Sequence, residues 1–120
     1  MAKAKDLTKE YLMYCGVTDI TPDGQIYVHG KIIPQYDYQT TTKYPYKYVY
    51  LHDKKLRTPK HHGGVHIRVH RAVYAWYHGV TPANLDVDHI NNIQCDNRIE
   101  NLQLLTRLEN NRKRDRDNKK

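Results

Sequence analysis

The chain has 120 residues, a formal net charge of +7 at pH 7 and a pI near 9.4, and its length fits one domain with a small core. Hydrophobic residues make up 38%, and no apolar run is long enough for a transmembrane span or a signal peptide, so we expect no membrane insertion. The basic charge indicates a polyanionic partner, nucleic acid before an anionic membrane surface. Cys15 and Cys95 form no disulfide framework, which indicates a reducing, cytoplasmic compartment.

The first 64 residues predict a β-rich region that follows a short helix. Turn signals stand at Asp23-Gly24 and at His29-Gly30. The predicted elements are a partial helix over residues 7–15 that stops at Gly16, strands over residues 25–28 and 31–33, and a polar, Thr-rich loop over residues 39–43.

Residues 44–50 predict a strand in which every second residue is tyrosine. We favour a face packed in the core, because the chain has no Phe and aromatic residues are common in strands. The alternative is an exposed face on which phenol hydroxyls meet phosphates or nucleobases stack.

Residues 52–64 predict a basic loop rich in histidine. The candidates for phosphate contacts in this loop are Lys54, Lys55 and Arg57. A zinc site is a less favoured alternative, because zinc sites have tighter ligand spacing and no cysteine stands nearby. The histidines that would form such a site are His61, His62, His66 and His70.

Residues 65–69 alternate in polarity and predict a strand, and residues 70–78 predict a helix that ends at Gly79. We expect this helix to lie across the β-region and to support the segment that follows. For its first residues we expect a structural role for His70 and a phosphate contact for Arg71.

Residues 85–111 predict a strand, a loop, a second strand and a helix. The first strand ends in Asp88-His89, and the second is the apolar run at residues 102–105. Neighbouring strand residues point to opposite faces, so Asp88 and His89 share one site only if the strand bends or ends there. In the alternative interpretation Asp88 caps a turn and His89 packs in the core.

The last helix has a clear start signal. Thr106 and Glu109 have the spacing of a capping box, which predicts that the helix begins at Arg107 with Asn110 in its first turn. The basic residues that continue to the end of the chain indicate a phosphate-tracking face, with Arg107 and Arg114 as the candidates.

The order Asp88-His89, Asn101, Asn110 resembles the H-N-N form of the HNH nucleases, whose core is a ββα-metal motif. Asn101 follows His89 by 12 residues and Asn110 follows Asn101 by 9. The surrounding residues are similar to the phage and intron-encoded HNH homing endonucleases. The resemblance implies His89 as general base, Asp88 and Asn110 as metal ligands, and Asn101 holding the loop and orienting the base.

These residue types suit the hydrolysis of a phosphodiester. Histidine, with an ordinary pKa of about 6.5, is neutral and basic near neutral pH and can accept a proton from water. A hard divalent cation can neutralise the phosphate and stabilise the leaving oxygen, and it prefers oxygen ligands such as a carboxylate and an amide carbonyl.

We therefore predict an α+β fold with an N-terminal antiparallel β-region plus a helix, followed by a ββα-metal (His-Me finger) motif. Residues 1–64 are expected to contact DNA and residues 65–120 to form the nuclease region. The predicted function is a DNA endonuclease that uses Mg²⁺ or Mn²⁺ and nicks double-stranded DNA. We expect a monomer, with a dimer as the alternative.

Two other functions stay open. The first is a nucleic-acid-binding module that has the fold and the charge but does not cut, and the second is a small structural zinc protein. Because the chain ends ten residues after Asn110, we expect site recognition to rest on residues 17–60 and sequence selectivity to be lower than in long-site homing enzymes.

Overall fold

The computed structural model describes residues 5–38 and 45–118. The predicted loop over residues 39–43 and the first residue of the predicted tyrosine strand, Tyr44, lie outside the described residues. Within the described ranges the fold is α+β with antiparallel strand pairs, as predicted. Its elements in chain order are β1 (Leu7–Thr8), α1 (Lys9–Tyr14), β2 (Val17–Ile20), β3 (Ile26–Val28), β4 (Lys31–Ile32), β5 (Tyr36–Tyr38), β6 (Tyr46–Thr58), β7 (His61–Arg68), α2 (Val69–His78), β8 (Val80–Thr81), β9 (Asp86–His89), a 3-10 turn (Ile99–Asn101), β10 (Leu102–Leu105) and α3 (Arg107–Asn118).

The N-terminal helix is set by its cap. The Thr8 hydroxyl accepts a hydrogen bond from the backbone N–H of Tyr11 at 3.0 Å, which satisfies one free donor of the first turn. The Tyr11 hydroxyl then donates to the buried carboxylate of Asp53 at 2.7 Å. Helix α1 is thereby joined to strand β6, 42 residues further along the chain.

The prediction of a basic loop over residues 52–64 was wrong. Strands β6 and β7 pair as a long antiparallel hairpin in which Arg57 lies opposite His62 and Thr58 opposite His61. The register shifts between His52 and Arg57, as a β-bulge would shift it. This segment is polar on both faces, so its composition is that of a loop, and only the pairing with a partner strand makes it extended.

Strand β7 also crosses the predicted boundary between residues 64 and 65. The two predicted regions therefore share the sheet β5-β6-β7.

The favoured core position for the tyrosine face was also wrong. On strand β6 the buried apolar residues are Val49 and Leu51, at 0% and 2% exposure, whereas Tyr50 is 46% exposed. Residues 46–51 carry bulky apolar or aromatic side chains on both faces, so alternation predicted the period but not the buried side. Val49 and Leu51 pack in the core with residues of helix α2, whereas Tyr50 lies on the outer surface and Tyr46 and Tyr48 are partly buried.

Helix α2 provides the centre of the core. Its buried residues Val69, Ala72, Val73 and Ala75 pack with Leu12, Ile20, Ile26 and the aliphatic face of β6. The helix ends at Gly79, which has φ +91° and donates its N–H to the Ala75 carbonyl at 2.8 Å, as predicted from the sequence. In the described part of the chain, no helix has both the length and the apolar character needed to cross a membrane.

The C-terminal segment forms the predicted ββα unit. Strands β9 and β10 pair antiparallel, with Asp88 opposite Gln103 and His89 opposite Leu102. The capping box is formed in full: Glu109 N–H donates to Thr106 Oγ1 at 3.1 Å, and Thr106 N–H donates to Glu109 Oε1 at 3.0 Å.

Gly63 is required where the two hairpin strands approach each other. It has φ +85°, and a Cβ there would lie 2.7 Å from the Asp53 carbonyl oxygen. We expect Gly63→Ala to lower the free energy of unfolding by about 2–4 kcal/mol, since it combines a left-handed backbone with a steric clash. Thermal and urea unfolding measure this loss.

Gly30→Ala is the matched control, because Gly30 has a similar φ of +79° but no atom within 4 Å of the added methyl group. Gly30→Ala should lower the free energy of unfolding by only about 1 kcal/mol, the cost of a left-handed backbone at a residue other than glycine. Equal losses in the two variants would contradict the proposed clash.

Candidate active site

The ββα unit opens onto a pocket of about 400 Å³. Four of the predicted site residues line it together: Asp88, His89, Asn110 and Arg114. The strand ends at His89, after which Ile90 N–H donates to the Asn101 carbonyl at 2.8 Å and Asn92 takes a left-handed φ of +63°. Because the strand stops there, neighbouring residues on opposite faces both reach the pocket.

His89 is buried at 4% exposure. Its Nε2 lies 2.7 Å from Asn97 Oδ1, so the ring donates from Nε2 and leaves Nδ1 as the basic atom. Its ring centroid is 5.0 Å from that of His70 and 5.9 Å from that of Tyr46. Burial lowers the pKa of His89 below 6.5, and this effect outweighs the opposing influence of Asn97 and Asp88. The imidazole is therefore neutral at neutral pH.

His70 lies next to His89, and its buried Nδ1 atom has no hydrogen-bond partner among the residues that the structure describes. Burial first, and then the nearby His89 and Arg68, hold its pKa well below 6.5. A neutral ring packed against Tyr46 at 5.3 Å matches the structural role expected for it.

Asn101 holds the loop between the two strands. Its Oδ1 accepts from Asn91 N–H at 3.1 Å, and its Nδ2 donates to Asn91 Oδ1 and to the Asp96 carbonyl at 2.9 Å each. The direct contact to His89 comes from Asn97, not from Asn101.

Asp88 is paired within the chain. Its Oδ2 accepts from Gln103 Nε2 at 2.8 Å and from the Lys113 ammonium at 2.9 Å. The ammonium also donates to the His89 carbonyl at 2.9 Å and to Asn92 Oδ1 at 2.6 Å. A buried carboxylate is stable only with such partners.

Asn110 is oriented by Asp86. Its Nδ2 donates to Asp86 Oδ2 at 2.9 Å, which leaves the amide oxygen as the possible ligand atom. The same carboxylate accepts two hydrogen bonds from Arg107, at 2.9 and 3.1 Å. Burial opposes ionisation of Asp86, but the hydrogen bonds from Arg107 and Asn110 and the charges of Arg107 and Arg71 lower its pKa overall.

The donor set fits a hard cation. Among the described residues there is no group of three or more His, Cys, Asp or Glu that could hold a metal ion. Asp88 and Asn110 could offer a carboxylate oxygen and an amide oxygen to such an ion, and Mg²⁺ commonly takes few protein oxygens and completes its shell with water and phosphate oxygens. The Lys113 ammonium, held by three oxygens, indicates that this end of the pocket favours positive charge.

The predicted phosphate contacts fall into different surroundings. Arg114 lines the pocket, and Arg107 is highly exposed at its ion pair with Asp86. Arg71 is partly buried and donates to the backbone carbonyls of Leu85 and Pro82 at 3.3 and 3.1 Å, so it secures the segment before β9. The hairpin cations Lys54, Lys55 and Arg57 are exposed on β6.

The histidines of the predicted zinc alternative are spread along the fold. The rings of His61 and His62 lie 5.5 Å apart at the start of β7. His66 instead contacts Tyr48 and Tyr50 on the sheet surface, with ring centroids 4.9 and 4.3 Å apart.

Sequence reasoning missed Tyr46, Asn97 and Lys113 as members of this site. Asn97 stands in a polar loop without periodicity, and Lys113 is one of many cations in the last helix. The helical spacing of Lys113, one turn after Asn110, was the signal available for it.

Residues 68–112 match the family model described as HNH endonuclease, which confirms the resemblance drawn from the motif. The fold is also similar to a solved structure described as "DNA binding and cleavage by the HNH homing endonuclease I-HmuI", with a TM-score of 0.65 and 21% sequence identity. That likeness covers 92% of this chain and 57% of that chain, so the present chain spans little more than half of the I-HmuI chain. No curated protein matches the sequence.

The Asn97 contact can be tested through the pKa of His89. The amide oxygen stabilises the protonated ring, so Asn97→Ala should lower that pKa further and Asn97→Asp, which adds a negative charge, should raise it. NMR titration of the His89 ring signals measures both shifts. A His89 pKa that is the same in both variants as in the wild-type protein would contradict a direct contact.

Proposed function

We propose that this protein is a metal-dependent DNA endonuclease that nicks one strand of a duplex. The observation that carries the proposal is the convergence of Asp88, His89 and Asn110 on one pocket of a ββα unit. A carboxylate, a neutral imidazole and an amide oxygen are the groups that metal-assisted hydrolysis of a phosphodiester requires. The family match over residues 68–112 supports the same reaction class.

Each residue has a defined part in this reaction. His89, kept neutral by burial and oriented by Asn97, accepts a proton from the attacking water through Nδ1. Asp88 and Asn110 would hold Mg²⁺ or Mn²⁺, which supplies charge neutralisation at the phosphate and at the leaving oxygen. Asn101 keeps the loop in place from which Asn97 reaches the imidazole.

The proposed partner is double-stranded DNA, and its surface extends from the pocket to the hairpin. Arg107 and Arg114 flank the catalytic groups on α3. The second contact is the β6–β7 hairpin with Lys54, Lys55 and Arg57. We propose that a monomer acts, because one pocket cuts one strand in a single event.

A DNA-binding module without cleavage activity is the second candidate. It is favoured by one observation: Asp88 is already neutralised by Lys113, so the pocket is stable without an added ion. Charge does not separate the two candidates, since both bind DNA with strong salt dependence.

Relaxation of supercoiled plasmid separates them. With Mg²⁺ or Mn²⁺, the wild-type protein should produce open circles before linear DNA, and a chelator should stop the reaction. His89→Ala should lower the rate by about a hundredfold or more, the usual contribution of a general base. Loss of cleavage in the variant with DNA affinity unchanged would support the assignment of His89.

His78→Ala is the matched control, because it removes an exposed histidine from the end of α2. It should cleave at the wild-type rate. Binding of DNA by the wild-type protein without any metal-dependent nicking would favour the non-cleaving module.

The hairpin contact is tested by salt dependence. Replacing Lys54, Lys55 and Arg57 by Ala should reduce the slope of log K against log salt by about 0.9 for each lost phosphate contact, or up to about 2.7 in all. Fluorescence anisotropy with a short duplex measures the slope. Replacing Lys5, Lys9 and Lys31 removes the same charge from other parts of the N-terminal region and should change the slope less; the reverse order would place the interface elsewhere.

A further inference from the structure

The Lys113 side chain occupies a cradle of oxygens at the pocket. Its ammonium donates to Asp88 Oδ2, to the His89 carbonyl and to Asn92 Oδ1, at 2.9, 2.9 and 2.6 Å. All three N–H donors of an ammonium are therefore used. Asn92, which contributes one of these oxygens, has a left-handed backbone conformation. Asparagine tolerates this conformation better than most residues.

This contact differs from an ordinary surface ion pair. The side chains of Lys113 and Asp88 are only 13% and 10% exposed, so water screens their attraction much less than at the surface. By contrast, the ion pairs of Arg107 with Asp86 and of Arg98 with Asp96 each include a highly exposed partner, at 77% and 50%. Lys113 thus acts as the resident cation of the Asp88 carboxylate.

We propose that Lys113 and the divalent cation occupy the Asp88 carboxylate in turn, and that a DNA phosphate controls the exchange. In the free protein the ammonium blocks the carboxylate and weakens metal binding. When DNA lies in the pocket, its phosphate attracts the ammonium away on its flexible stem, and Asp88 becomes available to the metal. The inference rests on the proposed function, because it assigns Asp88 as a metal ligand.

Two consequences follow from the exchange. The metal and the ammonium compete for one oxygen, so removal of Lys113 should tighten metal binding to the free protein. DNA and metal also favour the same arrangement, with Lys113 displaced from Asp88, so each should strengthen binding of the other by the same factor. Part of this coupling should disappear when Lys113 is absent.

The first test measures Mn²⁺ binding to the intact, DNA-free protein by electron paramagnetic resonance. Lys113→Met keeps the length of the stem and removes the charge. It should bind Mn²⁺ about tenfold or more tighter than wild type, since a hydrogen bond to a charged group contributes about that factor. Arg112→Met removes the same charge from an exposed position on α3 and should change the affinity by only about twofold, since exposed charges are screened.

The second test measures the coupling in the His89→Ala background, in which the duplex stays intact. Adding a short duplex should tighten Mn²⁺ binding, and this gain should be about tenfold smaller when Lys113→Met is also present. Equal Mn²⁺ affinity of wild type and Lys113→Met, no Mn²⁺ binding by either, or an equal gain from DNA in both backgrounds would each overturn the proposal.

A measurement on a protein that keeps Lys113 removes the dependence on the Lys113→Met variant. The ¹³Cε signal of Lys113 should move toward the position of a solvent-exposed lysine when Mg²⁺ and a duplex are added to the His89→Ala protein, and it should stay in place with the duplex buffer alone. A Lys113 signal that does not move would overturn the exchange.

These readouts are independent of cleavage. Tighter Mn²⁺ binding in Lys113→Met together with no nicking by the wild-type protein would support the exchange and reject the endonuclease. Normal nicking by the wild-type protein, together with an unchanged Mn²⁺ affinity in Lys113→Met, would support the endonuclease and reject the exchange.

Discussion

The site depends on the attachment of helix α3 to strand β9 through the Asp86 carboxylate. This one group accepts hydrogen bonds from Arg107 and from Asn110, two positions in the first turn of the helix. The capping box begins the helix one residue before Arg107, so the side chain of Asn110 is directed at the strand rather than at solvent. Without this attachment Asn110 and Asp88 would not face one pocket.

Burial is the second physical factor in the site, and it acts differently on the two groups at the end of β9. For His89 the low-dielectric surroundings favour the neutral ring, which is the form that the proposed base requires. For Asp88 the same surroundings demand a counter-charge, and Lys113 supplies it. The pocket is therefore stable as it stands, with the Lys113 ammonium as the cation that we propose a metal ion replaces.

Local signals could be read from the sequence because their causes lie within a few residues. The capping box, the stop at Gly79 and the apolar run that forms β10 (Leu102–Leu105) each depend on neighbours in the chain. The H-N-N spacing predicted the ββα unit for a related reason. A strand, a loop and a second strand of set lengths bring their end residues to the same end of the unit.

The two predictions that were wrong, the basic loop and the buried tyrosine face, depended on contacts far apart in the chain. The polar stretch after His52 is a strand only because residues 61–68 pair with it, and Tyr50 lies outside because helix α2 packs on the side of Val49. A pattern within one segment carries no information about the partner that will cover it.

The sequence by itself determined the class of fold, the segment in which Asp88, His89 and Asn110 come together, and the basic charge around it. Only the tertiary structure decided that Asn97 touches the imidazole and that Lys113 pairs with Asp88. The physical reason is that these contacts join residues 8 and 25 positions apart across a loop and a helix, where geometry depends on packing and not on spacing.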